Sequence, residues 1–304
     1  VGWRSVQDND FIKAGTPPAA FVAATGGTIL TNGNFKTHVF TGPGTFAVSD
    51  AGNTYGSNKL DYFVVAGGGS GGYYYRGSGG GAGGFRLSNS VGCVPAPTMS
   101  PLANPTSLTA TVASFSVAVG AGGATPTSCT GNNGSVSTFS SITSAGGGSG
   151  ANCGPTAVRS QAGGSGGGRN SNTASGPGSA GNTPPVSPPQ GNPGGGISYS
   201  APNFSGGGGG AGAAGTDNST FSPRTAATGG IGSFIADAFM GPTAPSYGES
   251  GPVSNTRYFA GGGGAGSYPM PSAVAGGIGG GGDGGYGPPY QASTAGSTNM
   301  GGGG

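Results

Sequence analysis

The sequence predicts an all-β protein: a small antiparallel β-sandwich-like unit, followed by a bundle of polyglycine-II strands joined by irregular loops, with almost no helix. Three observations lead there. Apolar segments repeatedly end in glycine, as in FVVAGGGSGG (63–72), SAGGGSG (144–150), FSGGGGGAG (204–212), YFAGGGGAG (258–266) and AGGIGGGGDGG (275–285). Gly (75) and Pro (24) make up about a third of the 304 residues, yet no Gly-X-Y period persists, which excludes collagen. Charged residues are only 6% while hydrophobic ones hold 33%, including 14 Phe and 11 Tyr, many of them flanking the glycine runs. A disordered chain combines low hydrophobicity with high net charge, so an ordered protein is expected.

Residues 1–20 carry Trp3, Asp8, Asp10 and Lys13 and end near Pro17-Pro18; they suit an attachment segment and linker. Residues 21–145 form the β-rich unit with the first glycine-rich insertions. Phe35, Thr37, Val39 and Thr41 alternate with Lys36, His38 and Phe40, Gly42-Pro43-Gly44 supplies a turn, and residues 45–48 return, which predicts a hairpin. Residues 60–66 (LDYFVVA) are a buried strand by composition, and 114–120 and 136–144 are further strands. Residues 146–304 form the polyglycine-II bundle, with loops rich in Pro, Ser, Asn and Tyr. Residues 233–240 (SFIADAFM) are the one stretch expected to turn helical, for about two turns. The glycine runs are unevenly spaced, so no solenoid of fixed period is present.

Why end an apolar segment in the residue that is costliest to order? Polyglycine-II shares the threefold, left-handed geometry of polyproline II, with no hydrogen bonds inside the strand. Every N–H and C=O then points outward and needs a partner. With no Cβ in the way, neighbouring strands approach from three directions and the interior becomes main chain. Gly costs about 0.5–1 kcal/mol more than Ala to order, and a hydrogen bond returns about 0.5–1.5 kcal/mol net. That balance is near even, so the bundle needs anchors. Those expected are Phe63, Val64, Val65, Phe139, Ile142, Phe204, Tyr258 and Phe259, with Ile278 beside them.

Catalytic chemistry finds little footing. Gly67, Gly69 and Gly72 fit G-x-G-x-x-G after a strand, but residues 73–79 cannot supply the helix that a dinucleotide site needs. No Gly-Lys-Ser/Thr is present to cradle phosphate. His38 is the only histidine and cannot complete a metal site alone. Glu249 is the only Glu, and Asp50, Asp61, Asp217, Asp237 and Asp283 are dispersed. We expect no enzyme, no cofactor and no metal. The net charge is +2 and the Arg residues are scattered, so no nucleic-acid stripe is expected. No apolar stretch reaches the roughly 20 residues of a membrane span, so no membrane insertion is expected either. Cys129 and Cys153 flank one expected strand and would form a disulfide if its ends fold back; the other reading is three inert thiols, Cys93 included.

The loops are the candidates for binding. Tyr73, Tyr74, Tyr75 and Arg76, then Tyr199, Tyr268, Tyr286 and Tyr290, lie among Asn, Ser and Pro between glycine runs. Tyr beside small polar residues offers contact area at low entropic cost. The other reading is that these rings cover the bundle flank and bind nothing.

The stretch THVFTGPGTFAVSDAGNTYGSNKLDYFVVAGGGSGG (37–72) resembles the glycine-rich domain of bacteriophage tail fibres and virion adhesins of polyglycine-II type. FSVAVGAGG (115–123), VSTFSSITSAGGG (136–148), NTPPVSPPQGNPGGG (182–196) and RYFAGGGGAG (257–266) are similar to marine phage members of that group. The resemblance implies a virion-surface, extracellular structural protein, trimeric, associated with other virion proteins and meeting a host cell-surface receptor, protein or glycan. It brings no catalytic residues. The alternatives are a non-viral extracellular filament or matrix protein and an ice-binding polyglycine-II protein, although no regular Thr-x-Thr face is visible.

Overall fold

The computed structural model describes residues 17–73, 77–90, 99–127, 131–151, 159–170, 175–198, 205–218, 227–241, 246–268 and 272–304. Among these, the strands are short and the helix α1 (Asp237–Met240) is a single turn. The protein is all-β.

The largest sheet grows from simple alternation. β4 (Gly44–Ala51) buries Phe46 and Val48 and exposes Thr45 and Ser49, the period-two pattern of a half-buried strand. It pairs with β1 (Val22–Thr25) and with β10 (Ala113–Ala118). β11 (Ser137–Phe139) and β12 (Ile142–Ser144) complete the antiparallel order β1-β4-β10-β11-β12. Phe46 lies opposite Phe115 in the ladder and meets Phe139 edge-on at 5.6 Å. With Val48 and Val117 these rings form the smaller of two apolar cores.

Four expectations change in detail. The hairpin across Gly42-Pro43-Gly44 does not form: β3 (Phe35–Val39) pairs with β2 (Thr28–Asn32), not with β4. Gly26 and Gly27, at φ +108 and +64, bend the chain between β1 and β2 and divide one long ribbon into two pieces. Gly42-Pro43-Gly44 is then the passage between the sheets. Residues 136–144 are not one strand, because Ser140 at φ +53 reverses the chain and leaves β11 and β12. Residues 233–240 are only half helical: β13 (Ser233–Ala236) pairs over its whole length with β14 (Thr256–Phe259) before α1 begins. Aromatic Phe234 and β-branched Ile235 suit a pleated surface, and the ladder wins over local helix propensity.

The segment 60–66 is divided too. β5 (Lys59–Leu60) pairs with β9 (Leu108–Thr109); β6 (Phe63–Val65) pairs with β7 (Phe85–Ser88), which takes β8 (Ala103–Asn104) in parallel. The larger core gathers Phe85, Leu87, Ile235, Met240 and Phe259 with Phe63 and Val65. The Phe63 ring stands 5.0 Å from that of Phe85 and 4.8 Å from that of Phe259. β6, β7, β13 and β14 each join directly to a glycine rod: 66–72, 77–84, 227–232 and 260–266 respectively.

Rod 77–84 runs through the middle of the bundle. The N–H groups of Ser78, Gly81 and Gly84 donate to the carbonyls of Ala151, Gly148 and Ala145. Those of Gly79 and Ala82 donate to Gly206 and Gly209, and those of Gly80 and Gly83 to Gly304 and Gly301, all at 2.7–3.1 Å. Its carbonyls serve three more segments. Ser78, Gly81 and Gly84 accept from Gly72, Gly69 and Ala66; Gly79 and Ala82 from Gly168 and Ser165; Gly77 and Gly80 from Gly266 and Gly263. The partner changes at each residue and returns at every third. A pleated strand has a period of two and only two hydrogen-bonded neighbours, so this is the threefold polyglycine-II arrangement. Rod 260–266 repeats it: Gly261, Gly264 and Ser267 donate to Gly279, Gly282 and Gly285, while Gly262 and Ala265 donate to Gly230 and Ala227.

Space, not backbone freedom, demands glycine here. None of residues 77–84 has positive φ, yet a Cβ on Gly79 would fall 2.0 Å from the Gly263 carbonyl oxygen and one on Gly83 2.0 Å from that of Ala66. Ser78 and Ala82 are the side chains this rod admits. The Ser78 hydroxyl accepts from the Ala151 N–H at 2.6 Å and donates to the Gly168 carbonyl, and the Ala82 methyl joins the apolar core.

Candidate functional site

The rods have two ends of different character. At one end stand β6, β7, β13, β14 and the larger apolar core. At the other, rods terminate together: the Gly72 N–H reaches Ser78, Ser78 reaches Ala151, Ala151 reaches Gly168, Gly79 reaches Gly206 and Gly266 reaches Gly77. Threefold packing forces this, because a straight rod can reverse only where its neighbours stop.

The expected Tyr residues that are described all lie at this loop end. Tyr73 follows rod 66–72 and is 37% exposed. Tyr268 follows rod 260–266, and its ring stacks on that of Tyr290 at 6.2 Å and 10°. Tyr290 is 59% exposed. Tyr286 is half-buried, and its main chain exchanges two hydrogen bonds with Gln291 at 3.0 and 2.8 Å. Tyr74, Tyr75, Arg76 and Tyr199 lie outside the described residues, as do Phe204, Cys93, Cys129 and Cys153.

Of the expected anchors, Phe63, Val65 and Phe259 join the larger core, and Phe139 the smaller. Val64 is buried, and Tyr258 is buried with its ring 5.3 Å from that of Phe234. Ile142 is half-buried opposite Phe139. Ile278 contributes its carbonyl, which accepts the Gly232 N–H at 2.7 Å.

The acidic side chains serve the main chain. Glu249 accepts from the N–H groups of Gly279 (2.8 Å) and Gly280 (3.0 Å), where φ of +105 and +87 turns the chain. Asp217 accepts from Gly196 at 2.6 Å, Asp283 from Gly276 at 2.9 Å and Asp50 from Gly52 at 2.9 Å. Asp61 accepts from the Ser88 hydroxyl at 2.8 Å and the Ser90 N–H at 3.0 Å. Asp237 lies 3.4 Å from Arg257. His38 Nδ1 is 2.8 Å from the Gly26 carbonyl oxygen, and its ring meets Phe46 edge-on at 5.0 Å. Gly67, Gly69 and Gly72 donate their N–H groups to Ser135, Gly81 and Ser78, so those donors are committed to the lattice.

Sequence reasoning missed two features. Gln190, only 1% exposed, substitutes for a rod beside β7: its Oε1 accepts from the Ala145 N–H (2.9 Å), its Nε2 donates to the Pro184 carbonyl (2.8 Å), and its own carbonyl accepts from Phe85 (2.8 Å). An amide between Pro-Pro and Gly was the available signal. The second is a pocket of about 210 Å³ at the loop end, lined by Arg159, Ser160, Arg169, Pro177, Gly178 and Ser179. The Arg residues are scattered in sequence, and the fold brings these two to one pocket. Equal spacing from an intervening glycine turn was the only clue.

Among the described residues no helix is long and apolar enough to cross a membrane. No curated protein and no solved structure matches the chain. A family model described as a glycine-rich domain matches residues 39–304, which takes in β4 through β14 and the whole rod bundle. The chain therefore belongs to the glycine-rich domain family.

Proposed function

We propose that this chain is a structural protein of a bacteriophage virion surface, a tail fibre or other appendage, whose loop tips contact the host cell. The observation that carries the reading is the gathering of Tyr73, Tyr268, Tyr286 and Tyr290 at the end of the rods remote from the apolar core. A lattice held by main-chain bonds leaves its turns free to vary in sequence without altering the interior, the arrangement a recognition surface needs. The resemblance of residues 37–72 to phage fibre domains supplies the biological setting. In this reading the partners are other virion proteins, copies of the chain in a trimer, and a host receptor, protein or glycan. The chain itself performs no chemistry.

Replacing Tyr73, Tyr268, Tyr286 and Tyr290 with Ser tests this in assembled particles. Particles should still form and carry the protein, while adsorption to host cells falls at least about tenfold, as expected when several aromatic contacts are removed. Unchanged adsorption would reduce the chain to a scaffold.

A further inference from the structure

We propose that the glycine lattice has one open position, a slot beside rod 66–72, which takes a glycine-rich segment of another protein extended as polyglycine II.

The neighbours of rod 66–72 define the slot. The N–H groups of Ala66, Gly69 and Gly72 donate to rod 77–84, and those of Gly67 and Ser70 to segment 131–135, at 2.8–3.1 Å. Those of Gly68 and Gly71, the third direction of the threefold rod, meet no acceptor among the described residues. The carbonyls of Gly67, Gly68 and Gly69 accept from Gly147, Gly123 and Gly304. Five segments therefore surround the rod: 77–84, 145–151, 131–135, 120–123 and 301–304. They are bonded in series, Gly81 to Gly148, Gly134 to Gly147, Ser135 to Ala121 and Gly80 to Gly304, but no main-chain bond joins 120–123 to 301–304. A threefold rod has three donor and three acceptor directions, hence six neighbours. Donor and acceptor contacts alternate round this ring, and the unpaired N–H groups of Gly68 and Gly71 fall at the break.

The walls carry matching groups. Gly302 has neither an acceptor for its N–H nor a donor for its carbonyl among the described residues. A Cβ on Gly304 would point into open space, 3.7 Å from the Gly71 nitrogen and 3.9 Å from that of Gly296. One on Gly122 would meet only the Gly68 carbonyl oxygen, at 3.7 Å. Gly68 is nonetheless buried, and buried main-chain N–H groups are rarely left without a partner.

Spacing and chemistry define the occupant. Gly68 and Gly71 are three residues apart, about 9 Å along a threefold rod. A pleated strand repeats every two residues, about 7 Å, and cannot meet both groups in register. The lining segments carry no charged residue, so an uncharged partner fits. With rods on most of its sides, it needs glycine at two positions in three, the third facing solvent. This chain has no such segment to spare, because no two adjacent glycines fall outside the described residues. A second copy would have to surrender a rod of its own lattice to fill the slot, so the partner is a different protein. That it is a virion protein rests on the virion-surface reading; the slot does not.

Amide exchange of the purified chain, followed by NMR, tests the slot. In the dilute chain Gly68 and Gly71 should exchange on the order of tenfold faster than Gly67, Gly69 and Ser70, which are hydrogen-bonded. Joining Gly-Gly-Ser repeats to Gly304 through a short turn presents the probe at high effective concentration. It should slow Gly68 and Gly71 on the order of tenfold, the scale of one net hydrogen bond, whereas Ala-Ala-Ser repeats should not. Gly304→Leu in the extended chain fills the open space and should abolish that protection while Gly67 and Gly69 stay slow. Slow exchange at Gly68 and Gly71 in the dilute chain, or no protection by the glycine segment, overturns the slot. Protection that appears as the chain alone is concentrated identifies a second copy and overturns the partner assignment. In assembled particles, protection of Gly68 and Gly71 read by exchange mass spectrometry supports a virion partner. Exchange as fast there as in the free chain overturns that partner and leaves the slot standing; absence of the chain from particles overturns the virion reading alone. Host adsorption enters none of these readouts, so this test and the Tyr test fail separately.

Discussion

A single methyl group is the unit of damage inside the rods. A Cβ on Gly80 would fall 2.2 Å from the Gly69 carbonyl oxygen and 2.7 Å from the Ser70 carbonyl carbon, both backbone atoms held by their own bonds. No rotamer can relieve such a clash, so the rods themselves must part. At Gly122, on an outer rod, the nearest atom to a Cβ is the Gly68 carbonyl oxygen at 3.7 Å, ordinary contact. Gly80→Ala should therefore cost about 3 kcal/mol, the upper end of overpacking penalties. Gly122→Ala should be neutral or stabilise by up to about 1 kcal/mol, through the unfolded chain's lost freedom. Denaturant unfolding of both variants measures the contrast. Equal effects would mean that glycine is there for flexibility and not for space.

Apolar plugs and glycine rods divide the work between elements. β6 illustrates it: Phe63 touches the rings of Phe85 and Phe259, and rod 66–72 begins immediately after the strand ends at Val65. The ring contacts fix where the rod starts and hence which carbonyl each N–H meets. Phe63→Leu keeps apolar bulk and loses both ring pairs, so it should cost about 1–2 kcal/mol and speed amide exchange along residues 66–72 more than along 260–266. Uniform exchange changes would separate the plug from the register. This division also explains what the sequence could disclose. Apolar leads into glycine are written in residue types, so the strands around 35–39, 63–65 and 113–118, the apolar lead at 258–259, and the rods that follow 63–65 and 258–259 could be read directly. Partners could not. Alternation around Phe35 and Phe46 marks strands without saying that β3 pairs with β2, and a rod without side chains carries no code for its neighbours. The Tyr end was legible as a list of loop residues. The Arg159–Arg169 pocket was hidden, because its register is set by glycine main chain.

At the scale of the molecule, the claim is that main chain forms the interior in three directions at once and thereby delivers every far turn to one face. Rod 77–84 touches six segments drawn from residues 66 to 304, so the face exists only if the lattice does. NMR scalar couplings across hydrogen bonds test this directly, since each one names a donor and its acceptor. The account predicts couplings from the Gly79, Gly80 and Gly81 amide nitrogens to the carbonyl carbons of Gly206, Gly304 and Gly148, three consecutive donors meeting three different rods. Couplings from alternate residues to only two neighbouring segments, as in a pleated ribbon, would contradict it.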